Sequence, residues 1–232
     1  MAGYSTKQER VAIAGVDDLL ILSLCDRLQF FDPHGDAARL GISSAAWPLF
    51  GIPWPSGVQL AARLASRPVR PNERVLEIGC GLALVSLVAH RRGVDVTASD
   101  RHPLAETFLK ANLHANGLAP MKYRHGNWAP PPSLPERPGA PAVAGEFDLI
   151  VGSDVLYERD SNGDLVGFID RHAAASVEVW IVDPNRGNRA AFTAQMARRG
   201  FSVREDKLEC PASGGIPAFQ GRLLTYRRGA LT

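Results

Sequence analysis

The chain has 232 residues, 45% of them hydrophobic and 22% charged, a globular composition that excludes wholesale disorder. Its 26 Lys and Arg residues against 24 Asp and Glu residues leave a formal net charge of +2, which favours neither a nucleic-acid nor an acidic partner. A polar start, short apolar runs and three scattered cysteines predict a soluble, cytoplasmic protein with no membrane span and no disulfide framework.

The N-terminal part of the chain has no clear periodicity. Residues 11–31 are apolar enough for either a helix or a strand, whereas residues 32–57 are rich in Gly, Pro and Trp and are typical of loop. We predict that residues 1–57 form an N-terminal extension and a lid over substrate and cofactor. Residues 58–232 are then the main domain, and the two parts make one compact unit.

Helices and strands alternate along the rest of the chain. Helices are predicted at 59–66, 82–92, 103–116, 164–175 and 188–199, and strands at 75–78, 94–99, 121–125, 147–152, 177–182, 202–207 and 222–226. The proline-rich segment 129–145 is predicted to be a surface loop. This alternation indicates an α/β fold: a doubly wound, Rossmann-like sheet of seven strands, mostly parallel, with an antiparallel C-terminal hairpin strand.

The ligand crevice of such a sheet lies outside the carboxyl ends of its strands. The first predicted strand ends in Glu77-Ile78-Gly79-Cys80-Gly81, a turn that lets a ligand approach the backbone or serves only for tight packing. A dinucleotide site needs a third glycine where this chain has Leu84. Glu77 would repel phosphate, so the turn suits a ligand with a positive charge.

Polar side chains follow the next strands as well. Asp100 can accept hydrogen bonds from both hydroxyls of a ribose, or it can cap the next helix. Asn127 and Trp128 offer an amide for a base edge and a ring beside it. Asp154 and Tyr157 lie where a substrate would enter. The six histidines lack a metal-ligand spacing, so no metal is expected, and His102 and His114 are predicted to lie on the surface of a helix.

This arrangement resembles the seven-β-strand S-adenosylmethionine-dependent methyltransferases. Residues 75–81 look like their glycine-rich first motif, and Asp100 looks like their acidic ribose contact. Trp54-Pro55-Ser56-Gly57, Trp128 and Asp154-Val155-Leu156-Tyr157 resemble the protein-lysine methyltransferases that act on chaperones and on electron-transfer flavoprotein. Asp183-Pro184-Asn185-Arg186 looks like the Asp-Pro-Gly-Arg stretch of the flavoprotein branch, with Asn185 in place of a glycine. Ala83 stands where many relatives carry a third glycine.

The resemblance implies an N-methyltransferase that uses S-adenosylmethionine to modify a protein lysine side chain or a small amine, with no nucleic-acid or membrane partner. It implies that Asp154 orients the amine and that Tyr157 walls the channel or bonds the nitrogen. The implied cofactor-binding residues are Trp54, Glu77, Gly79, Cys80, Gly81, Asp100, Asn127, Trp128 and Ser153. Trp54 places an aromatic face near the methionine end or plugs the core. The alternatives are a small-molecule N-methyltransferase of the nicotinamide type and a non-catalytic ligand-binding module.

Overall fold

The computed structural model describes residues 3–129, 140–213 and 216–230. Within them the strands are β1 (Thr6–Val11), β2 (Leu19–Leu24), β3 (Arg74–Ile78), β4 (Asp95–Asp100), β5 (Lys122–His125), β6 (Phe147–Ser153), β7 (Ala173–Asp183), β8 (Ser202–Cys210) and β9 (Phe219–Arg228). The helices are α1 (Asp36–Leu40), α2 (Pro55–Ala65), α3 (Leu84–Arg91), α4 (Ala105–Ala115), α5 (Asp164–His172) and α6 (Arg189–Arg198), with a 3-10 helix at Trp47–Gly51. No described helix combines the length and the apolar character that crossing a membrane requires.

Seven strands form one sheet in the order β5-β4-β3-β6-β7-β9-β8. The strands from β5 to β7 are parallel to one another, and β9 is antiparallel to both of its neighbours. The predicted fold class is therefore confirmed, including the terminal hairpin. The chain moves outward from β3 to β5 and then returns to β6 on the other side of β3. The topological switch, where the ligand crevice of such sheets opens, thus lies between β3 and β6.

The central strands are apolar on both faces because helices cover both sides of the sheet. Leu76 and Ile150 are fully buried, and they belong to a core with Phe168 and Phe192 of α5 and α6. The opposite core gathers the apolar faces of α2, α3 and α4, with Phe108 fully buried in it. The two cores pack against opposite faces of the sheet and so fix the positions of the carboxyl ends of β3, β4 and β6.

The N-terminal part forms a separate hairpin, β1 paired with β2, that docks against α4. Two asparagines of α4 pair with the backbone of β2. Asn112 Oδ1 accepts the Leu22 N–H at 2.7 Å, while Asn116 accepts the Leu20 N–H at 2.9 Å and donates to the Leu20 carbonyl at 2.8 Å. These side chains replace a neighbouring strand along the free edge of β2, which otherwise presents unpaired backbone groups.

Several predicted boundaries shift for local reasons. Helix α2 begins at Pro55, where proline suits the first turn, rather than at residue 59. Helix α3 begins at Leu84 because Ala83 has a φ of 60°, and α5 ends at His172 because Ala173 already pairs in β7. Residues 32–57 contain α1 and the 3-10 helix as well as loop. Residues 130–139 of the predicted surface loop lie outside the described residues.

Candidate active site

A cavity of about 390 Å³ opens at the carboxyl ends of β3, β4 and β6. Its walls include the predicted site residues Trp54, Glu77, Gly79, Cys80, Gly81, Asp100, Trp128, Ser153, Asp154 and Tyr157. Asn127 is the exception, because Gly126 lines this cavity in its place and Asn127 lines a neighbouring cavity of about 400 Å³. The Gly126 N–H is held by the Asp100 carbonyl at 3.0 Å. Tyr157 and Trp128 belong to the walls of both cavities.

The glycine turn after β3 forms the floor of the cavity. Gly79 and Gly81 have φ values of 57° and 51°, which side-chain-bearing residues rarely adopt. A Cβ on Gly79 would lie 3.0 Å from a methyl carbon of Val155, and one on Gly81 would lie 2.8 Å from the Phe50 carbonyl oxygen. Glycine is therefore required at both positions for conformation and for space. The turn leaves bare backbone facing the cavity, as a closely bound ligand needs.

Two buried carboxyl groups flank this turn. Glu77 is 2% exposed and accepts hydrogen bonds from the backbone N–H and the hydroxyl of Ser86. Burial raises the pKa of Glu77 to about 7, with a smaller contribution from the negative charge of Asp100. Asp100 accepts the N–H groups of Gly81 at 2.8 Å and His102 at 2.7 Å, and burial raises its pKa as well. Acidic groups of this kind fit a cationic ligand and disfavour phosphate.

Cys80 lies between the two glycines. Its N–H donates to the Ser99 carbonyl at 2.9 Å, which fastens the turn to β4. Burial raises the pKa of the Cys80 thiol well above its usual range, so the thiol stays protonated at neutral pH. Cys80 is thus a neutral, apolar part of the wall rather than a nucleophile.

Asp154 follows β6 in a left-handed conformation, with a φ of 54°. Its N–H donates to the Val182 carbonyl at 2.9 Å, which anchors the residue to β7. The side chain is 9% exposed and forms two hydrogen bonds with Arg186, from Nε to Oδ1 at 2.8 Å and from Nη2 to Oδ2 at 2.7 Å. The carboxylate is therefore a fixed group in the cavity wall.

Tyr157 and Trp54 supply the aromatic surface of the cavity. Desolvation raises the pKa of Tyr157, although the charge of Arg101 opposes this shift, so the phenol stays protonated at neutral pH. The Trp54 indole N–H donates to the Leu49 carbonyl at 2.9 Å, which fixes the orientation of the ring. The guanidinium carbons of Arg27 and Arg186 each lie 5.9 Å from the centroid of this ring.

Sequence reasoning missed several cavity residues, among them the three arginines Arg27, Arg101 and Arg186. Arg101 directly follows Asp100, and Arg186 belongs to the Asp183-Pro184-Asn185-Arg186 segment that resembles the flavoprotein branch, so position alone could have found both. Arg27 lies in segment 1–57, which was predicted to cover substrate and cofactor, but no motif there singles out an individual residue.

The prediction that His102 lies on the surface is wrong. It precedes α4, is 4% exposed, and stacks on Phe50 with a centroid separation of 3.7 Å and an edge contact to Trp47 at 4.4 Å. The hydrogen bond from its N–H to Asp100 turns the chain inward, which brings the ring into this aromatic cluster. His114, on α4 itself, is exposed as predicted.

Comparison with known proteins decides the family. The family model described as lysine methyltransferase matches residues 52–198, which include the glycine turn, Asp100 and Asp154. The chain belongs to the lysine methyltransferase family. It is an S-adenosylmethionine-dependent methyltransferase, as the first motif and the acidic residue at the end of β4 indicated.

Individual relatives agree with this assignment. The chain is 30% identical over 172 residues to the mouse protein N-lysine methyltransferase METTL21A, covering 72% of each chain. It is 28% identical over 144 residues to the calmodulin-lysine N-methyltransferase of Arabidopsis thaliana, covering 58% of this chain and 45% of the other. The fold matches the magnesium protoporphyrin IX methyltransferase of Synechocystis with a TM-score of 0.54 at 16% identity, over 75% of this chain and 78% of that one.

Proposed function

We propose that this methyltransferase modifies the ε-amine of a lysine side chain in a protein substrate, and that Asp154 receives the amine. One observation carries the proposal: a fixed carboxylate, whose side chain is 9% exposed, shares a single cavity with the glycine turn and with the aromatic rings of Trp54 and Tyr157. A carboxylate beside aromatic faces is the surrounding that an alkylamine favours as it becomes positively charged.

The cofactor half of the cavity would be formed by the glycine turn and its acidic neighbours. Each carboxylate oxygen of Asp100 accepts one N–H and keeps a second lone-pair site, which the two hydroxyls of a ribose can use. Trp128 and Val155 would flank the adenine, and Ser153 and Trp54 would face the methionine portion. When bound, S-adenosylmethionine supplies a methyl group on a positively charged sulfur, and that sulfur keeps the electron pair when the methyl group leaves.

The acceptor half would prepare the amine. An ammonium ion has no lone pair with which to attack, so the lysine must be neutral when it reacts. Desolvation between apolar walls lowers the pKa of an alkylamine and favours its neutral form. Asp154 would accept an N–H of the amine and stabilise the charge that develops on nitrogen, while Tyr157 would confine it. Most of the rate would then come from holding the reacting atoms in line.

The rim of the cavity supports a protein-sized substrate. Next to the cavity-lining Arg27, the side chains of Leu28, Phe30 and Phe31 are 92%, 51% and 41% exposed. Large apolar side chains grouped on a surface are typical of contacts with another protein. We infer that the protein around the target lysine contacts this segment while the lysine enters the cavity.

Two variants separate the binding and transfer roles. S-adenosylhomocysteine binding is measured by calorimetry, and transfer by labelled methyl incorporation into lysate protein followed by identification of methyl-lysine. Asp100→Ala is expected to weaken binding at least about tenfold, because a charged hydrogen-bond acceptor is worth about 1.5–3 kcal/mol. Asp154→Asn is expected to bind normally and to lose transfer. Full activity of Asp154→Asn would show that Asp154 does not receive the amine.

The rim is tested by Leu28→Asp. Because this side chain is almost fully exposed, the substitution leaves folding and S-adenosylhomocysteine affinity unchanged. It is expected to lower kcat/KM for the protein substrate about tenfold by raising KM. An unchanged kcat/KM would exclude this surface from substrate contact.

A further inference from the structure

Arg186 is presented to the cavity by a tightly constrained turn after β7. Asn185 and Gly187 on either side of it have φ values of 63° and 89°. The carboxylate of Asp183, which is fully buried, accepts the Arg186 N–H at 3.2 Å. The backbone of Arg186 is therefore held in one place, and its side chain reaches back to the end of β6.

Arg186 contacts the carboxylate and the aromatic ring that would attract a substrate ammonium ion. Its guanidinium engages both carboxylate oxygens of Asp154, at 2.8 Å and 2.7 Å, and lies 5.9 Å from the Trp54 ring. Paired hydrogen bonds between a guanidinium and a carboxylate are among the stronger polar contacts in proteins. The Asp154 hydrogen bonds raise the pKa of Arg186, so the guanidinium is a permanent cation in the acceptor half of the cavity.

We propose that Arg186 is a positioning residue that sets the charge preference of the acceptor site: by neutralising Asp154 it makes the site accept a neutral amine and reject an alkylammonium ion. This inference rests on the proposed role of Asp154. A carboxylate without its arginine partner would attract the protonated lysine, which cannot react. With Arg186 in place, Asp154 still has lone-pair sites for an amine N–H, but the pair has no net charge.

The same arrangement affects the product. Methyl transfer to the neutral amine leaves the nitrogen as a methylammonium ion, which carries a full positive charge close to the Arg186 guanidinium. Because Arg186 pairs with both oxygens of Asp154, the pair attracts this cation less strongly than a lone carboxylate would, so the product leaves more readily. Arg186 therefore favours the reactive form of the substrate and the departure of the product through one electrostatic effect.

Two cofactor analogues test this without an identified substrate. Sinefungin carries a protonated primary amine where the cofactor carries its S-methyl group, whereas S-adenosylhomocysteine has a neutral sulfur there. The ratio of their Kd values, measured by calorimetry on the full chain, reports how well the acceptor site tolerates a cation. Arg186→Gln is expected to shift this ratio about tenfold toward sinefungin, which corresponds to about 1.4 kcal/mol.

Three control variants make the result specific. Arg186→Lys keeps a cation and is expected to retain the wild-type ratio. Arg27→Gln removes the other guanidinium near Trp54, which no described hydrogen bond links to Asp154, and is expected to leave the ratio unchanged. The double variant Asp154→Asn/Arg186→Gln has no carboxylate to expose and is expected to return to the wild-type ratio. S-adenosylhomocysteine affinity and thermal unfolding confirm that each variant is folded.

An Arg186→Gln ratio equal to that of the wild type overturns the inference, and so does an equal shift in Arg186→Lys. Failure of the proposed function has a different signature. If Asp154→Asn keeps full methyl transfer, the acceptor assignment is wrong even where the analogue ratio shifts. If neither analogue binds the wild-type protein, the cavity does not hold the cofactor and both proposals are refuted.

Discussion

Glu77 makes the stability of this protein depend on pH in an unusual direction. Its pKa is about 7 in the folded protein against 4.5 for an ordinary glutamate, because burial disfavours the ionised form. The folded state therefore binds the proton more tightly than the unfolded state, and the free energy of unfolding falls as the pH rises between these values. A shift of this size corresponds to about 3 kcal/mol for a fully buried group, at about 1.4 kcal/mol per pH unit.

Glu77→Gln removes this penalty while keeping the size of the side chain. We expect the variant to be more stable than the wild type at about pH 8 by about 3 kcal/mol, with most of the advantage gone at about pH 5. Urea denaturation at both pH values measures the difference. Glu178→Gln is the matched control, since Glu178 is also buried but paired with Arg227 at 2.6 Å, and its loss is expected to destabilise at both pH values. An advantage of Glu77→Gln that is the same at both pH values would refute the reasoning.

Two further predictions concern the glycine turn and the N-terminal hairpin. Gly79→Ala is expected to lose S-adenosylhomocysteine affinity as well as stability, because its Cβ would lie 3.0 Å from Val155. Gly93→Ala has a similar positive φ but nothing within 4 Å, so it should lose only the about 1–2 kcal/mol of left-handed strain, as calorimetry and urea denaturation would show. Asn116→Ala removes both hydrogen bonds to Leu20 and is expected to lower the free energy of unfolding by about 1–3 kcal/mol. Hydrogen exchange should become faster in β2 but not in β9. Unchanged exchange in β2 would contradict this anchoring role.

The sheet and most of the cavity could be predicted because both depend on local pattern. Strands buried on both faces are continuously apolar, and the residues that follow them share one edge of the sheet. The hairpin could not be predicted in the same way. Strand β1 is polar, and β2 is apolar without alternation. The partners that complete β2 are side chains of α4, 90 and 96 residues away in the chain.

The cavity shows the same contrast between local and distant information. Asp154 could be singled out from its place after β6, but its pairing with Arg186 joins two loops that are 32 residues apart. Neither loop alone indicates that the carboxylate is neutralised. Ala83 is a further example, because its left-handed φ depends on the turn that it completes and overrides its high helix propensity.

The hairpin also connects the N-terminal segment to the wall of the cavity. The chain leaves β2 and within a few residues reaches Arg27 in the cavity wall, so a ligand that contacts Arg27 would favour the docked hairpin over a detached one. By mass action, ligand at about a hundred times its Kd adds about 2.7 kcal/mol to the form that binds it. Protease cleavage of the N-terminal segment would thus be slower with saturating S-adenosylmethionine than without it.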